Sequence, residues 1–340
     1  MKQDLVVIGG GPGGLVTASV AAQLGLKVTL IEASEQLGGD CLHTGCVPSK
    51  SLIAMSRIAH TARRGVASGL LDSMPAIDFG RAVTHVEQVV GKIQQHDDPE
   101  RFRAYGCDVR FGKAEFTGER EVQVGEEIIR GRRFVIATGS RPAIPSIPGL
   151  DEAGYETNET IFTRRDLPRS LAVIGGGPVG VELAQAFSRL GSKVAIIETA
   201  PRLLGHADAV AAETLAQCLA AEGVQLHLSS GISAVRRAGD HRQLQLENGS
   251  TIECERILVA TGRRPAVHGL GLAAAGVEHD HRGIKVDARL RTSRRHIYAV
   301  GDVCGPLQFT HVAEYQAGIV LANIVFRLPK KADYRVVPTV

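Results

Sequence analysis

Cys41 and Cys46 are the two residues of this chain whose side chains could most readily carry redox chemistry. They lie five positions apart in the turn Gly38–Lys50, which reads GGDCLHTGCVPSK. A disulfide between cysteines this close requires a tight, distorted turn, and both strain and exposure make such a bridge easier to reduce. The spacing therefore indicates a redox-active pair, but alone it leaves a structural disulfide or half of a zinc site open.

The residues after the second cysteine favour the reactive, deprotonated form of a thiol. Pro48 opens a pattern that predicts a helix over Ser49–Ala62, with Lys50 in its first turn. The N-terminus of a helix and a nearby ammonium group both stabilise a thiolate. Either sulfur of the pair could then act as a nucleophile near neutral pH.

Composition narrows the class of protein. The 340 residues are enough for two or three domains, and the hydrophobic content of 44% and charged content of 22% are typical of globular proteins. A net charge of +3 is too small to predict a nucleic acid partner, and no apolar run is long enough to predict membrane insertion. Six cysteines do not make a secreted disulfide scaffold, so we expect a reducing, cytoplasmic location. We also expect no metal centre, because the duplicated nucleotide units described below favour a redox pair over half of a zinc site.

A dinucleotide-binding pattern opens the chain. An apolar run, Leu5–Ile8, leads into a glycine-rich turn, a helical pattern follows over Leu15–Leu24, and a second predicted strand, Lys27–Ile31, ends before Glu32. This order of strand, turn, helix and strand makes the motif G-x-G-x-x-G credible, because its glycines allow the turn and the close approach of a pyrophosphate. The acid at the end of the second strand would bind ribose hydroxyls. The three glycines of the motif are Gly9, Gly11 and Gly14.

The same unit occurs a second time. Leu171–Glu198 aligns with Leu5–Glu32 at an offset of 166 positions and without a gap. Two dinucleotide sites in one chain suggest two dinucleotides that exchange electrons. The counterparts of the first motif's glycines and acid are Gly175, Gly177, Gly180 and Glu198.

Each copy has a later apolar run that ends in Ala-Thr-Gly. Phe134–Gly139 and Ile257–Gly262 predict further strands of two parallel sheets, whose carboxyl ends border the nucleotides. The first copy is 43 positions longer between its first glycine and this run, and the extra length contains the cysteine turn. The pair is thus an insertion into the first nucleotide unit. The predicted nucleotide contacts at the strand ends are Ala137, Thr138, Gly139 and Gly262.

Together these motifs, with Tyr298–Asp302, resemble the flavoprotein disulfide reductases, which include dihydrolipoamide dehydrogenase, mercuric reductase and glutathione reductase. The resemblance implies an α/β fold with two Rossmann-like domains, of the glutathione reductase-like three-layer ββα type. It implies FAD on residues 1–147, NAD(P)H on residues 148–266, and a segment 267–340 that completes the FAD domain.

The resemblance also implies roles for the residues of the turn. Cys46 would face the flavin as the charge-transfer thiolate, and Cys41 would be the interchange thiol that attacks substrate. Lys50 would approach the edge of the flavin that accepts hydride, paired with Glu182 of the second unit. The FAD contacts implied beyond the glycine motif are Gly39, Asp302 at the ribityl hydroxyls, and the N-terminus of a helix over Ala313–Phe326, which begins with Ala313.

The choice of nicotinamide nucleotide can be argued from charge. An acid at the end of the second strand suits a free ribose 2′-hydroxyl, whereas basic groups suit a 2′-phosphate. The second copy has Glu198 there, with Arg202 as the first cation after it. It also keeps Gly180, where members of the family that use NADPH often have Ala. We therefore favour NAD(H) over NADP(H).

Departures from the family pattern leave the substrate open. A C-terminal dimerisation domain would supply a His–Glu pair that protonates the interchange thiol. We expect that domain to be absent from this chain, which predicts a monomer or weak dimer here and a homodimer for a full-length protein. Asp40 and His43 replace the Thr and Asn common in the turn, and His43 is a candidate base or an ordinary surface residue. A dithiol or disulfide of the dihydrolipoamide type is the first predicted substrate and Hg(II) the second; a truncated FAD/NAD-binding module without disulfide turnover is the alternative.

Overall fold

The computed structural model describes residues 2–338, which form two compact units. Unit 1 contains the chain up to His43, Gly91–Arg141, and the chain from Arg263 onward. Unit 2 contains Thr44–Val90 and Pro142–Gly262. Unit 1 is thus assembled from three separate segments of the chain. The cysteine turn is divided between the units, since Cys41 belongs to unit 1 and Cys46 to unit 2.

The helices and strands follow one another in the order of an α/β protein. The helices are α1 (Pro12–Gln23), α2 (Gly39–His43), α3 (Cys46–Ala67), α4 (Phe79–Gln94), α5 (Pro99–Ala104), α6 (Leu150–Ala153), α7 (Pro178–Leu190), α8 (Ala209–Ala221) and α9 (Thr310–Ile324), with 3-10 turns at Ile161–Thr163 and Gly301–Cys304. The strands are β1 (Lys2–Ile8), β2 (Val28–Glu32), β3 (Cys107–Phe111), β4 (Ala114–Gly118), β5 (Glu121–Val124), β6 (Glu127–Ile136), β7 (Ser140–Pro142), β8 (Ser170–Ile174), β9 (Lys193–Ile197), β10 (Gln225–His227), β11 (Ile232–Ala238), β12 (His241–Leu246), β13 (Thr251–Cys254), β14 (Arg256–Val259), β15 (Arg263–Pro265), β16 (His279–Asp280), β17 (Gly283–Ile284) and β18 (Ile297–Ala299).

Unit 1 is built on a sheet of order β3-β2-β1-β6-β5-β4, and β18 also pairs with β6. β3, β2, β1, β6 and β18 are parallel, while β5 and β4 continue the sheet as an antiparallel meander. The central strand β1 is buried and apolar from Leu5 to Ile8 because both faces of the sheet are covered. One face of the parallel strands shares a core with α1 and α9, and the other face shares a core with the segment 267–303 and with side chains of the meander strands β4 and β5.

Unit 2 repeats the plan on a smaller scale. Its parallel sheet has the order β10-β9-β8-β14, and a separate antiparallel sheet has the order β11-β12-β13. One face of the parallel sheet shares a core with α3, α4, α7 and α8. The other face shares a core with the antiparallel sheet. The predicted fold class, α/β with two dinucleotide-binding units, is confirmed.

The glycine turns of both units depend on backbone that no other residue adopts easily. Gly9 has a φ of +109° and Gly175 a φ of +112°. A Cβ atom at either position would collide with the carbonyl oxygen of Ala137 or Ala260, respectively. Each turn therefore passes so close to the end of the neighbouring strand that only glycine fits.

Two helices begin earlier than the sequence pattern predicts. α3 begins at Cys46, because Pro48 is tolerated within a first turn whose amides need no partner inside the helix. The last helix, α9, begins at Thr310 rather than at Ala313. Within residues 2–338, no helix is long and apolar enough to cross a membrane.

Candidate redox and dinucleotide site

The cysteine turn is attached to the glycine turn of unit 1. The amide of Gly38 donates a 2.8 Å hydrogen bond to the carbonyl oxygen of Gly10. Gly39 has a φ of +61°, and a Cβ atom there would lie 2.7 Å from the Cα atom of Gly11. The two backbones are in contact, which holds α2 and its Cys41 beside the first dinucleotide motif.

Cys46 is the first residue of α3 and is exposed. Gly45 caps the helix, and its carbonyl oxygen accepts a 3.1 Å hydrogen bond from the amide of Ser49. The amides of a first helical turn lack intrahelical acceptors and carry partial positive charge, which favours an anion such as a thiolate. The α3 helix is fixed in unit 2 by the burial of Leu52 in the same core as Val181 of α7.

The remaining cysteines differ in environment from the pair. Burial raises the pKa of Cys107 and of Cys254 to about 11. Burial, together with the carboxylate of Asp302, also raises the pKa of Cys304. Cys218, by contrast, is exposed on α8. Thiolate chemistry near neutral pH is therefore suppressed at three of the other four cysteines.

Lys50 and Glu182 form an ion pair within unit 2. The Lys50 Nζ atom lies 2.7 Å from Oε2 and 3.0 Å from Oε1 of Glu182. The two side chains are 58% and 33% exposed. The lysine is the fifth residue of α3 and the carboxylate is on α7, so the packing of these two helices creates the pair.

The acid at the end of each second strand closes its glycine turn. Glu32 Oε2 accepts a hydrogen bond from the Gly10 amide at 2.6 Å, and Glu198 Oε2 accepts one from the Gly176 amide at 2.7 Å. The other oxygen of Glu198 accepts from the Ala200 amide at 2.7 Å. The sequence pattern identified these acids only as ribose ligands. The structure adds that each one fixes the turn beside which that ribose would lie.

Both glycine turns have room for a dinucleotide where the motif requires it. Gly177 caps α7, and a Cβ atom there would have no described atom within 4 Å beyond its own residue and its two chain neighbours. The same holds for Gly262 at the end of β14 and for Gly139 after β6, each counted among the described residues. At Gly11, the cap of α1, the nearest such atom is the Cα of Gly39 at 3.8 Å. The residues present therefore fit two dinucleotides held at helix N-termini.

A half-buried cluster centred on Arg263 was not predicted from the sequence. The guanidinium is paired with the carboxylate of Asp40, and its Nε donates a 2.6 Å hydrogen bond to the hydroxyl of Ser140. That hydroxyl donates a 2.6 Å bond to Asp302 Oδ2. Burial lowers the pKa of Arg263, and the nearby Asp302 carboxylate opposes this shift. Its sequence signal, Arg263-Arg264-Pro265, indicated only the end of the second unit.

Comparison with known proteins identifies the family of this chain. Residues 3–317 match the family model "Pyridine nucleotide-disulphide oxidoreductase". The chain belongs to this family. It is 36% identical to a mercuric reductase of Bacillus cereus over 99% of the chain, and 36% identical to a dihydrolipoyl dehydrogenase of Chlamydia muridarum over 99%. The chain spans 54% of the length of the first and 73% of the second.

Solved structures agree with this family membership. The Cu(II) complex of the HOCl-induced flavoprotein disulfide reductase RclA from Escherichia coli matches with a TM-score of 0.86 and 30% identity. The match covers 96% of this chain and 72% of that one. The resemblance inferred from the motifs is thereby confirmed. The family depends on FAD and a pyridine nucleotide.

Two further predicted FAD contacts, Thr138 and Ala313, form hydrogen bonds within the chain. Thr138 donates its hydroxyl hydrogen to the carbonyl oxygen of Ala266 at 2.8 Å. Ala313 is buried in the first turn of α9, and its amide donates to the carbonyl oxygen of Phe309 at 3.1 Å. The prediction that Ala313 begins this helix is wrong, since the first turn starts at Thr310 and already uses that amide. Among residues 2–338, no group of three or more His, Cys, Asp or Glu side chains could hold a metal ion.

Proposed function

We propose that this protein is an FAD-dependent, NADH-preferring disulfide oxidoreductase whose redox centre is the Cys41–Cys46 pair. The observation that carries the proposal is the attachment of the cysteine turn to the first glycine turn, through the 2.8 Å bond between Gly38 and Gly10 and the contact between Gly39 and Gly11. A redox-active cysteine pair in a turn that contacts a dinucleotide motif would receive its electrons from the dinucleotide bound there.

FAD would be held by the first unit and the nicotinamide nucleotide by the second. The residues that would hold FAD are Gly9, Gly11, Gly14, Glu32, Gly39, Ala137, Thr138, Gly139, Asp302 and the first turn of α9 near Ala313. Those for NAD(H) are Gly175, Gly177, Gly180, Glu198 and Gly262. When bound, the flavin supplies two-electron transfer between the nicotinamide and the cysteine pair.

Cys41 and Cys46 would reduce a substrate disulfide in two thiol–disulfide exchange steps. The Cys41 thiolate attacks one sulfur of a substrate disulfide, which forms a mixed disulfide and releases one thiol. The Cys46 thiolate then attacks the Cys41 sulfur, which releases the second thiol and leaves a Cys41–Cys46 disulfide. Oxidation of one NADH returns the two electrons, and the reverse direction oxidises a dithiol.

Dihydrolipoamide-type compounds are the first proposed substrates, and Hg(II) is the second. NADH is favoured by the carboxylate of Glu198, which would repel a 2′-phosphate. The mercuric reductase of Bacillus cereus supports the second choice, because it is as similar to this chain as the dihydrolipoyl dehydrogenase is.

Anaerobic titration of the FAD-loaded protein with NADH tests the proposal. A long-wavelength absorbance band from a thiolate–flavin charge-transfer complex should appear on reduction. Steady-state turnover with NADH and NADPH, across lipoamide, glutathione disulfide and Hg(II), then identifies the substrate. Flavin that is bound but shows no such band and no turnover would instead identify a dinucleotide-binding module without disulfide chemistry.

A further inference from the structure

The side chain of Arg263 connects the residue before the first cysteine with a predicted FAD contact. Its Nη2 atom is paired with Asp40 and also donates a 3.0 Å hydrogen bond to the Ser140 carbonyl oxygen. Its Nε atom reaches Asp302 through the Ser140 hydroxyl, with two hydrogen bonds of 2.6 Å each. The direct distance from Nε to Asp302 Oδ2 is 3.9 Å. All four residues belong to unit 1.

The Arg263 and Asp302 side chains of the cluster are more shielded from solvent than the Asp40 side chain. The Arg263 side chain is 22% exposed and that of Asp302 is 23%, while that of Asp40 is 43%. A guanidinium with so little solvent needs carboxylate partners, and its planar fork can serve two of them at once. Removing one carboxylate partner from such a shielded guanidinium costs more free energy than removing the partner of an exposed guanidinium.

Asp40 introduces a charge at a sensitive position. It immediately precedes Cys41 in α2. A carboxylate next to a thiol opposes formation of the thiolate, and it also opposes an incoming pyrophosphate. A cation held against that carboxylate cancels both effects.

We propose that Arg263 is a positioning residue of the redox turn, which neutralises Asp40 beside the Cys41 thiol while it orients Asp302 for FAD. The inference rests on the proposed function, since it concerns the same thiol and the same cofactor. It assigns one side chain from β15 to two tasks: keeping Cys41 reactive and keeping FAD bound.

The test compares R263Q, D40N and the double variant D40N/R263Q with the parent protein, each loaded with FAD. After reduction with dithiothreitol and its removal, the alkylation rate of Cys41 by iodoacetamide is measured at one pH, with the Cys41 peptide followed by mass spectrometry. FAD release is followed by flavin fluorescence on dilution. R291Q is the matched control, because Arg291 and Asp287 form an ion pair of similar exposure, 27% and 46%, in unit 1.

The two single substitutions should move the Cys41 rate in opposite directions. R263Q should slow alkylation roughly tenfold, because loss of the guanidinium leaves less positive charge against the Asp40 carboxylate and raises the pKa of the neighbouring thiol by about one unit. D40N should speed it, the double variant should lie within about threefold of the parent, and R291Q should change nothing. R263Q should also release FAD faster than the double variant.

A purely structural role gives a different pattern. Loosening of the turn would make both single variants react faster and the double variant faster still, which would overturn the inference. If R263Q is not recovered with FAD, D40N decides: an unchanged or slower rate contradicts the proposal and a faster rate supports it. These rates need no NADH, so failure of the proposed function, an absent charge-transfer band in the parent protein, is a separate result.

Discussion

The Nζ atom of Lys50 lies 2.7 Å from Glu182 Oε2, although the two residues are 132 positions apart in the chain. Each is the fifth residue of its helix, and the packing of α3 on α7 brings them together inside unit 2. Because both side chains are substantially exposed, at 58% and 33%, the pair contributes at most about 1 kcal/mol to stability. A pair that adds so little stability, at the end of the cysteine turn, is better explained by its effect on the position of the lysine.

Glu182→Gln should reduce NADH-dependent disulfide turnover by roughly tenfold, because the lysine loses the carboxylate that fixes its ammonium group. The free energy of unfolding should fall by no more than about 1 kcal/mol. Steady-state turnover and urea denaturation measure the two effects. Glu87→Gln is the control, since Glu87 pairs with Arg165 at 2.7 Å with similar exposure in unit 2. Equal losses of turnover in both variants would contradict a specific role for the lysine pair.

Cys46→Ser and Cys41→Ser should separate the two proposed sulfur roles. Cys46→Ser should retain FAD but lose the charge-transfer band, because the thiolate facing the flavin is gone. Cys41→Ser should keep the band and lose disulfide turnover, because the thiol that attacks substrate is gone. Absorbance spectra of the reduced proteins and turnover with lipoamide distinguish them.

The exposed Cys218 on α8 supplies the control for these two variants. Cys218→Ser should leave both the band and turnover unchanged. Identical spectra from Cys41→Ser and Cys46→Ser would reverse or remove the assigned order of the pair.

Gly175→Ala and Gly177→Ala should separate folding from nucleotide binding in unit 2. Gly175→Ala should lower the free energy of unfolding by roughly 2 kcal/mol or more, because the φ of +112° is strained for alanine and the new Cβ meets the Ala260 carbonyl oxygen. Gly177→Ala should change it by no more than about 0.5 kcal/mol, since no described atom lies within 4 Å of that Cβ. It should nevertheless weaken NADH binding, because the methyl group fills the space that the pyrophosphate approaches.

Urea denaturation and NADH titration of the two variants provide the measurements. FAD content is the internal control, because both glycines lie in unit 2 while the predicted FAD motif lies in unit 1. A Gly177→Ala protein that binds NADH normally would argue against this turn as the nicotinamide nucleotide site.

Much of the fold was accessible from the sequence because local rules and the internal repeat agreed. The ungapped match of Leu171–Glu198 to Leu5–Glu32 predicted two parallel sheets, and β1, β2, β8 and β9 lie where it put them. Helix ends were less accessible. The start of α9 depends on Phe309, which caps the helix through its carbonyl oxygen alone and carries no polar side chain that a sequence pattern could identify.

The sequence predicted only those residues of the candidate site that belong to a recognisable motif. The cysteine turn and the glycines were visible as spaced residue types, whereas Arg263 was not, because its partners Asp40, Ser140 and Asp302 are scattered over the whole chain. Their proximity is a result of tertiary folding. The second task of Glu32 and Glu198, closing their own glycine turns, was hidden for the same reason.

The buried thiols should make the protein lose stability at high pH. Burial raises the pKa of Cys254 from 9.0 to about 11, so the folded state holds its proton longer than the unfolded state does. The resulting stabilisation is fully present below about pH 9 and is lost as the pH rises toward about 11, by roughly 2 kcal/mol. Urea denaturation at intervals from pH 8 to 11 should therefore show a shallower decline for Cys254→Ala than for the parent protein. Cys218→Ala, at an exposed position, should follow the parent; a Cys254→Ala profile that runs parallel to the parent would show that this thiol does not contribute to the alkaline loss.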